Sequence, residues 1–404
     1  GSVRCVEETA PNPPSRIQIK SRHQKSRSPS LACPRLALYS VAMSEIGHRK
    51  KMPAAAAGID DRIESLGRGL GLDPPALRSA LSAADQFPFL APSSYLRKIE
   101  AATQPEALIR QVLPLGVELE DADGFSSDPL DEANDAGDGL IEKYHGRLLV
   151  MVTRACAGHC RFCFRRHLPS ATLRQAVVRD AFRARMAREG DISEVILSGG
   201  DPLVLSDARL SDWFELIAAY PQVRRIRIHT RGPVFSPERV NDGLLSVLVR
   251  SRLPVVLAVH VNHADELDAE TALALDRLRR AGVMLISQSV LLTGVNDSVE
   301  SLERLFERLL ECGVLPYYLH QLDRVAGAAH FEVGRTRGLS LLRELRHRLP
   351  GYMVPRYVEE IPGEPSKRPI ADRDAAFKED QHADQRLSAS PSRSSPHTAG
   401  ADGT

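Results

Sequence analysis

Three cysteines crowd into one short stretch, Cys156-Ala-Gly-His-Cys160-Arg-Phe-Cys163, with three residues inside the first pair and two inside the second. Thiolates at this spacing can share one loop. They can hold three corners of an iron–sulfur cubane and leave the fourth iron open to another ligand. The rival chemistry is a zinc site completed by His159 or His167. Structural zinc asks for four ligands, usually as two separated pairs, and the sequence has no second cysteine pair. Of the other cysteines, Cys5 and Cys33 fall in a basic leader. Cys312 stands before Gly313 in a helical pattern, where a small buried hydrophobe is expected. A tight cluster in a chain of 404 residues reads as a metal site in a reducing compartment, not as a disulfide framework.

Two further stretches carry candidate chemistry. Ser198-Gly199-Gly200-Asp201-Pro202 follows an apolar run; glycine there lets backbone approach a ligand closely. The alternative is an ordinary strand-to-helix turn with Asp201 as N-cap. Gly363-Glu-Pro-Ser-Lys367-Arg-Pro is a rigid turn presenting one lysine, which taken alone reads as a solvated surface charge.

The elements that would position these residues alternate in type. Strands are expected at 147–153, 194–200, 225–231, 255–261, 283–289 and 316–321. Helices are expected at 206–219, 237–250, 268–281 and 298–312. Alternating strand and helix predicts an α/β fold with a parallel sheet, here about six βα units forming a full or partial TIM-like barrel. In such barrels the chemistry gathers at the C-terminal ends of the strands. The cysteines, Gly199 to Asp201, His229 to Arg231, His260 and His263, Gln288, and His320 to Asp323 all fall there. Residues 53–142 read as a helical N-terminal region, with helices near 59–70 and 75–84 and an acidic loop around 128–138. Residues 143–372 read as the catalytic core.

Residues 1–52 are basic and rich in Ser and Pro, and are expected to be an unstructured leader. A transit peptide and a natural start at Met43 or Met52 both stay open. Residues 373–404 are polar and expected to be a disordered tail. The formal net charge of +1 gives no sign of nucleic acid or an anionic membrane as partner. No apolar run approaches the roughly 20 residues of a membrane span. A cytoplasmic location is expected.

The cysteine motif, with Phe162 before its last Cys, resembles that of the radical S-adenosylmethionine (radical SAM) superfamily. The Lys367 turn, Lys143-Tyr144-His-Gly-Arg147, Arg165, the run from Gln288 to Asp297, and Pro316-Tyr-Tyr-Leu-His320 resemble segments of the lysine 2,3-aminomutases. Phe164 to His167, His260 to Glu266, and Tyr318 to Phe331 are similar to the elongation-factor-P β-lysylation branch of that family, and the likeness covers about 85–372.

The resemblance implies a radical SAM, pyridoxal phosphate (PLP)-dependent isomerase that converts L-α-lysine to β-lysine. It implies a [4Fe–4S] cluster on Cys156, Cys160 and Cys163, with S-adenosylmethionine bound near Ser198, Gly199, Gly200, Asp201, His260 and Gln288. PLP would be held covalently by Lys367, with its phosphate at Lys143, Tyr144 and Arg147. Arg165 would grip the substrate carboxylate, and Asp323 and Glu360 the side-chain ammonium. Free-lysine aminomutases carry a second aspartate where Glu360 stands, which leaves the distal contacts open. Implied partners are L-lysine, elongation factor P and its ligase, and a flavodoxin or ferredoxin as reductant; a homodimer stays open. Three alternatives remain: an aminomutase for another amino acid such as glutamate, a radical enzyme without PLP, and a non-enzymatic metal module. The acids Asp323 and Glu360 argue against an acidic side chain in the substrate.

Overall fold

Four helices precede the sheet: α1 (Ile59–Gly69), α2 (Pro74–Gln86), α3 (Ser93–Ala101) and α4 (Pro105–Ile109). Asp73 starts α2 by accepting the Ala76 N–H at 2.9 Å, with Pro74 at the first helical position. The computed structural model describes residues 58–132, 138–168, 174–188 and 192–371, all within the compact unit Lys51–Thr404. The expected leader, the expected tail and part of the acidic loop lie outside the described residues.

The sheet follows, alternating with helices: β1 (Leu140–Ile141), β2 (Arg147–Thr153), α5 (Gln175–Met186), β3 (Glu194–Gly199), α6 (Asp207–Ala218), β4 (Arg225–Thr230), α7 (Gly232–Phe235) and α8 (Asp242–Val249). Then come β5 (Val255–His260), α9 (Ala269–Arg280), β6 (Met284–Val290), α10 (Val299–Glu311), β7 (Leu315–His320), α11 (Arg335–Arg348), β8 (Arg356–Glu359) and β9 (Arg368–Pro369). Strands β2 to β8 lie parallel in chain order, with β1 and β9 antiparallel at the two edges.

The runs Val-Ile-Leu in β3 and Val-Val-Leu-Ala-Val in β5 are largely buried, as strands covered on both faces require. In α10, Leu302, Leu305, Phe306 and Leu309 recur with helical period and are all fully buried. Ser298 starts that helix by accepting the Ser301 N–H. Buried residues of the N-terminal helices, among them Ile63, Tyr95 and Leu108, join the sheet and its helices in one hydrophobic core.

The α/β barrel expected from the sequence is present, with two differences. The helix expected at 237–250 is instead a 3₁₀ turn, Pro237–Arg239, followed by α8. Asn241 accepts the Leu244 N–H and restarts the helix there. A seventh parallel strand, β8, pairs with β7, and β9 folds back on it. Its sequence, Arg-Tyr-Val-Glu after Pro355, is too short and too charged to read as a strand. This β8–β9 hairpin carries Glu360 and Lys367.

The sheet curls enough to bring its ends together. Lys143, between β1 and β2, donates to the Glu360 carboxylate just past β8 at 3.0 Å.

Candidate active site

The cysteine loop leaves the C-terminal end of β2, and its root is clamped from β3. Gly200 donates to the Thr153 carbonyl at 2.7 Å and Asp201 N–H to that of Ala155 at 2.9 Å. A Cβ on Gly199 would stand 2.3 Å from Thr153 O, and one on Gly200 2.3 Å from Ala155 O. Gly199 also holds a φ of 112°, open to glycine and strained for other residues. The close approach these glycines permit is thus to the protein's own loop.

Asp201, expected beside a cofactor, has its carboxylate occupied within the protein. It accepts from Leu203 N–H at 2.9 Å, Thr230 O–H at 2.5 Å and Arg231 N–H at 2.9 Å. It caps the 3₁₀ turn Pro202–Val204 and ties β3 to the end of β4. The capping alternative describes its side chain.

Cys156, Cys160 and Cys163 are all half-buried and free of disulfides. Burial pushes the Cys163 thiol up to about 11 and those of Cys156 and Cys160 upward as well. A bound metal would pull off such protons. The histidines that could complete a zinc site each bond a backbone carbonyl through one ring nitrogen. His159 Nδ1 lies 2.8 Å from Pro88 O, its ring stacked on Phe87, and His167 Nε2 lies 2.9 Å from Ala326 O. Among the described residues no three His, Cys, Asp or Glu side chains converge on a single metal ion; a cubane needs thiolates at separate corners instead.

His260 ends β5 and stacks on Phe162, with ring centroids 5.4 Å apart. Burial lowers its pKa to about 3, so the ring is neutral. Half-buried Gln288 pairs with it in register from β6. Several buried polar atoms here lack a protein partner: His229 Nε2, His260 Nε2, Ser287 Oγ, and Nε and Nη1 of Arg154. They belong to the ends of β2, β4, β5 and β6. Buried polar groups are normally satisfied, so this end of the barrel suits polar ligands.

The other side of the site is a line of alternating charge. Arg165 grips Glu132 with two nitrogens, Nε at 2.8 Å and Nη2 at 3.2 Å, and also donates to Ser198 Oγ at 3.1 Å. Glu132 receives Lys143 at 3.0 Å, Lys143 reaches Glu360, and Glu360 also holds the Lys367 ammonium. Burial alone would raise Glu360, but Lys367 and Lys143 outweigh it and bring its pKa down to about 2. Arg147 lies over the Tyr144 ring at 5.2 Å, and the Tyr144 hydroxyl bonds Glu360.

Asp323 has a different environment. Burial first, then the neighbouring Glu360 charge, raise its carboxyl to about 7, against the pull of Lys367 and Lys143. The structure thus brings together Arg165, Lys143, Tyr144, Glu360, Lys367 and Asp323. Glu360, expected at a substrate ammonium, holds the two lysine ammoniums of the chain itself.

Three contributors were not legible in the sequence: Glu132, Glu266 and Gln111. Arg231 Nη1 donates to Cys160 Sγ at 2.7 Å, and Arg231 Nη2 to Gln111 Oε1 at 2.6 Å and to Glu266 Oε1. The one available signal was His263-Ala-Asp-Glu266, whose spacing fits the observed capping box. The sequence holds no cue for Gln111.

Residues 150–309 match the family model of the Radical SAM superfamily. That class of enzyme binds a [4Fe–4S] cluster and S-adenosylmethionine, and the three-thiol loop fits the first of these. The chain is 42% identical over 296 residues to the L-lysine 2,3-aminomutase of Escherichia coli (strain K12), covering 73% of this chain and 86% of that one. It is 38% identical over 304 residues to the enzyme of that name from Haemophilus influenzae, covering 74% and 89%. A solved radical SAM methyltransferase from Sphaerobacter thermophilus is 24% identical, with a TM-score of 0.40 over 54% of this chain and 68% of that one. The chain belongs to the L-lysine 2,3-aminomutase family, a family of isomerases.

Proposed function

We propose that this enzyme interconverts L-α-lysine and β-lysine, with PLP on Lys367. The observation that carries the reading is the line Arg165–Glu132–Lys143–Glu360–Lys367, with Asp323 beside it. It offers a fork for a carboxylate at one end and acids for an ammonium at the other, the charge order of lysine itself. The fork already grips a carboxylate, that of Glu132.

When bound, S-adenosylmethionine on the cluster supplies a hydrogen-abstracting radical, and PLP supplies an electron sink for the migrating amine. The chain's own residues bind and orient. Cys156, Cys160 and Cys163 would hold the cluster, and Lys367 Nζ would carry the PLP. Lys143, Tyr144 and Arg147 stand beside Glu360 for the phosphate. Glu360 accepts a hydrogen bond from Lys367 Nζ whenever that amine is free. Arg165 fixes one end of the substrate, and Asp323 its side-chain ammonium. Buried neutral His260, stacked on Phe162, and Gln288 line the strand ends where S-adenosylmethionine would sit. Holding both ends of a flexible substrate removes rotational freedom before reaction.

A glutamate substrate would set a second carboxylate against Asp323 and Glu360, which disfavours it. The product would serve β-lysylation of elongation factor P by its ligase in the cytoplasm, with a flavodoxin or ferredoxin as electron donor.

The test is anaerobic incubation of the reconstituted protein with L-lysine, S-adenosylmethionine and a reductant, followed by product identification. β-Lysine is the expected product. Turnover of glutamate alone, or of no amino acid by an iron- and PLP-replete protein, would refute the reading.

A further inference from the structure

Arg231 is buried, and both terminal nitrogens of its guanidinium are held, while Nε has no partner. Its backbone N–H is held by Asp201. One nitrogen, Nη2, is held by Gln111 and Glu266. Its carbon lies 4.5 Å from the Phe235 ring centroid, 5.6 Å from that of Phe162 and 5.7 Å from that of Tyr95. Glu266 is itself fully buried and held. It accepts from Tyr95 O–H at 3.0 Å, Asn262 N–H at 2.7 Å and His263 N–H at 3.1 Å. Asn262 also donates to Gln111 at 3.1 Å. The other terminal nitrogen of this constrained cation, Nη1, points at Cys160 Sγ, 2.7 Å away.

So many fixed partners exceed what anchoring one side chain requires. Burying a charged pair is costly unless its geometry and hydrogen bonds are nearly complete. Here the network, satisfied except at Arg231 Nε, delivers one charged N–H to one cluster ligand. Tyr95 and Gln111 come from the N-terminal helical region, so that region builds the rear wall of the cluster site.

We infer that Arg231 is a positioning residue that sets the reduction potential of the cluster through its hydrogen bond to Cys160. The step concerned is the gain of one electron by the oxidised cluster from a low-potential one-electron donor; no bond is made or broken. The added negative charge spreads onto the thiolates. A fixed guanidinium on one thiolate stabilises the reduced form more than the oxidised form and raises the potential. The aromatic enclosure excludes water that would screen it.

The test is an EPR-monitored redox titration of the reconstituted protein without S-adenosylmethionine, beside iron and sulfide analysis. Arg231→Gln is expected to keep about four irons per chain and to become at least tenfold harder to reduce, about 59 mV more negative for a one-electron couple. Arg231→Lys keeps the charge but loses the fork, so it is expected to fall between Arg231→Gln and wild type. Gln111→Leu leaves Arg231 in place with one anchor fewer and is expected to shift the potential the same way by less. It supplies the measurement if Arg231→Gln does not retain iron. An unchanged potential in an iron-replete Arg231→Gln protein, or in iron-replete Gln111→Leu where that variant stands in, would overturn the inference. A wild-type protein that takes up no cluster would instead overturn the cluster assignment itself.

Discussion

The two sides of the site are built on opposite principles. At the cysteine side two carboxylates are held in closed sets of the protein's own donors, Asp201 by three and Glu266 by four, with Arg231 wedged among three rings. At the lysine side the charges pair in a line, each carboxylate shared between two cations. A closed set resists exchange and keeps its geometry. Shared ion pairs let a ligand's carboxylate, phosphate or ammonium replace a side chain of like charge. The first arrangement suits a rigid frame, the second a place where charged ligands are exchanged for side chains.

If the two sides are separate devices, damage to one should leave the other intact. The largest expected effect is that of Cys160→Ala. Iron content should collapse, and 5′-deoxyadenosine formation should fall to background, while borohydride still traps a pyridoxyl adduct on Lys367. Continued 5′-deoxyadenosine production would remove Cys160 from the cluster. Lys367→Ala should do the reverse, losing the trapped adduct and lysine turnover but keeping about four irons. An adduct mapped by mass spectrometry to another lysine would contradict the assignment.

Asp323→Asn should have a smaller, graded effect. Loss of a charge-assisted hydrogen bond costs about 1.5–3 kcal/mol, or roughly tenfold to a hundredfold in kcat/KM. The wild-type kcat/KM should rise as pH increases through about 7, where the Asp323 carboxyl ionises, and Asp323→Asn should lack that limb.

Stability should move the other way. The folded pKa of Asp323 lies above its unfolded value of about 3.9. Between the two the folded state binds more protons, so this group's contribution falls as pH rises. Asp323→Asn should therefore cost no stability at pH 8 in a thermal melt. A large loss there would make Asp323 structural.

The smallest effects belong to His159→Ala and His167→Ala. Each should lose about 0.5–1.5 kcal/mol of stability through one hydrogen bond and leave iron uptake unchanged. Loss of the metal in either would revive the zinc alternative.

Much of this was legible in the sequence, and the exceptions share a cause. β2 forms at the residues read for it, Arg147–Thr153, because its apolar run Leu148–Val152 carries its own signal. β8 escaped because its four residues take their place from pairing with β7. The cysteines announced themselves through spacing, whereas Lys367 stood out only through the family resemblance of its turn. Glu132 did not, since its partners Arg165 and Lys143 are brought to it only by the fold. Asp201 was assigned to a cofactor from its neighbourhood; its carboxylate takes the local cap bond from Leu203 N–H, and two donors from the end of β4 that no local pattern encodes.

The sheet's strand order has a consequence for how the enzyme is made. Every strand pairs with the one just before it in the chain, so the sheet can lengthen at one edge as the polypeptide leaves the ribosome, without inserting a late strand between earlier ones. Closure waits for the contact between Lys143 and Glu360, 217 residues apart. At roughly 5–20 residues per second of synthesis, the cysteine loop emerges on the order of 10–40 s before the Lys367 hairpin. The three cysteines proposed as iron ligands are therefore synthesised well before the lysine proposed to carry PLP.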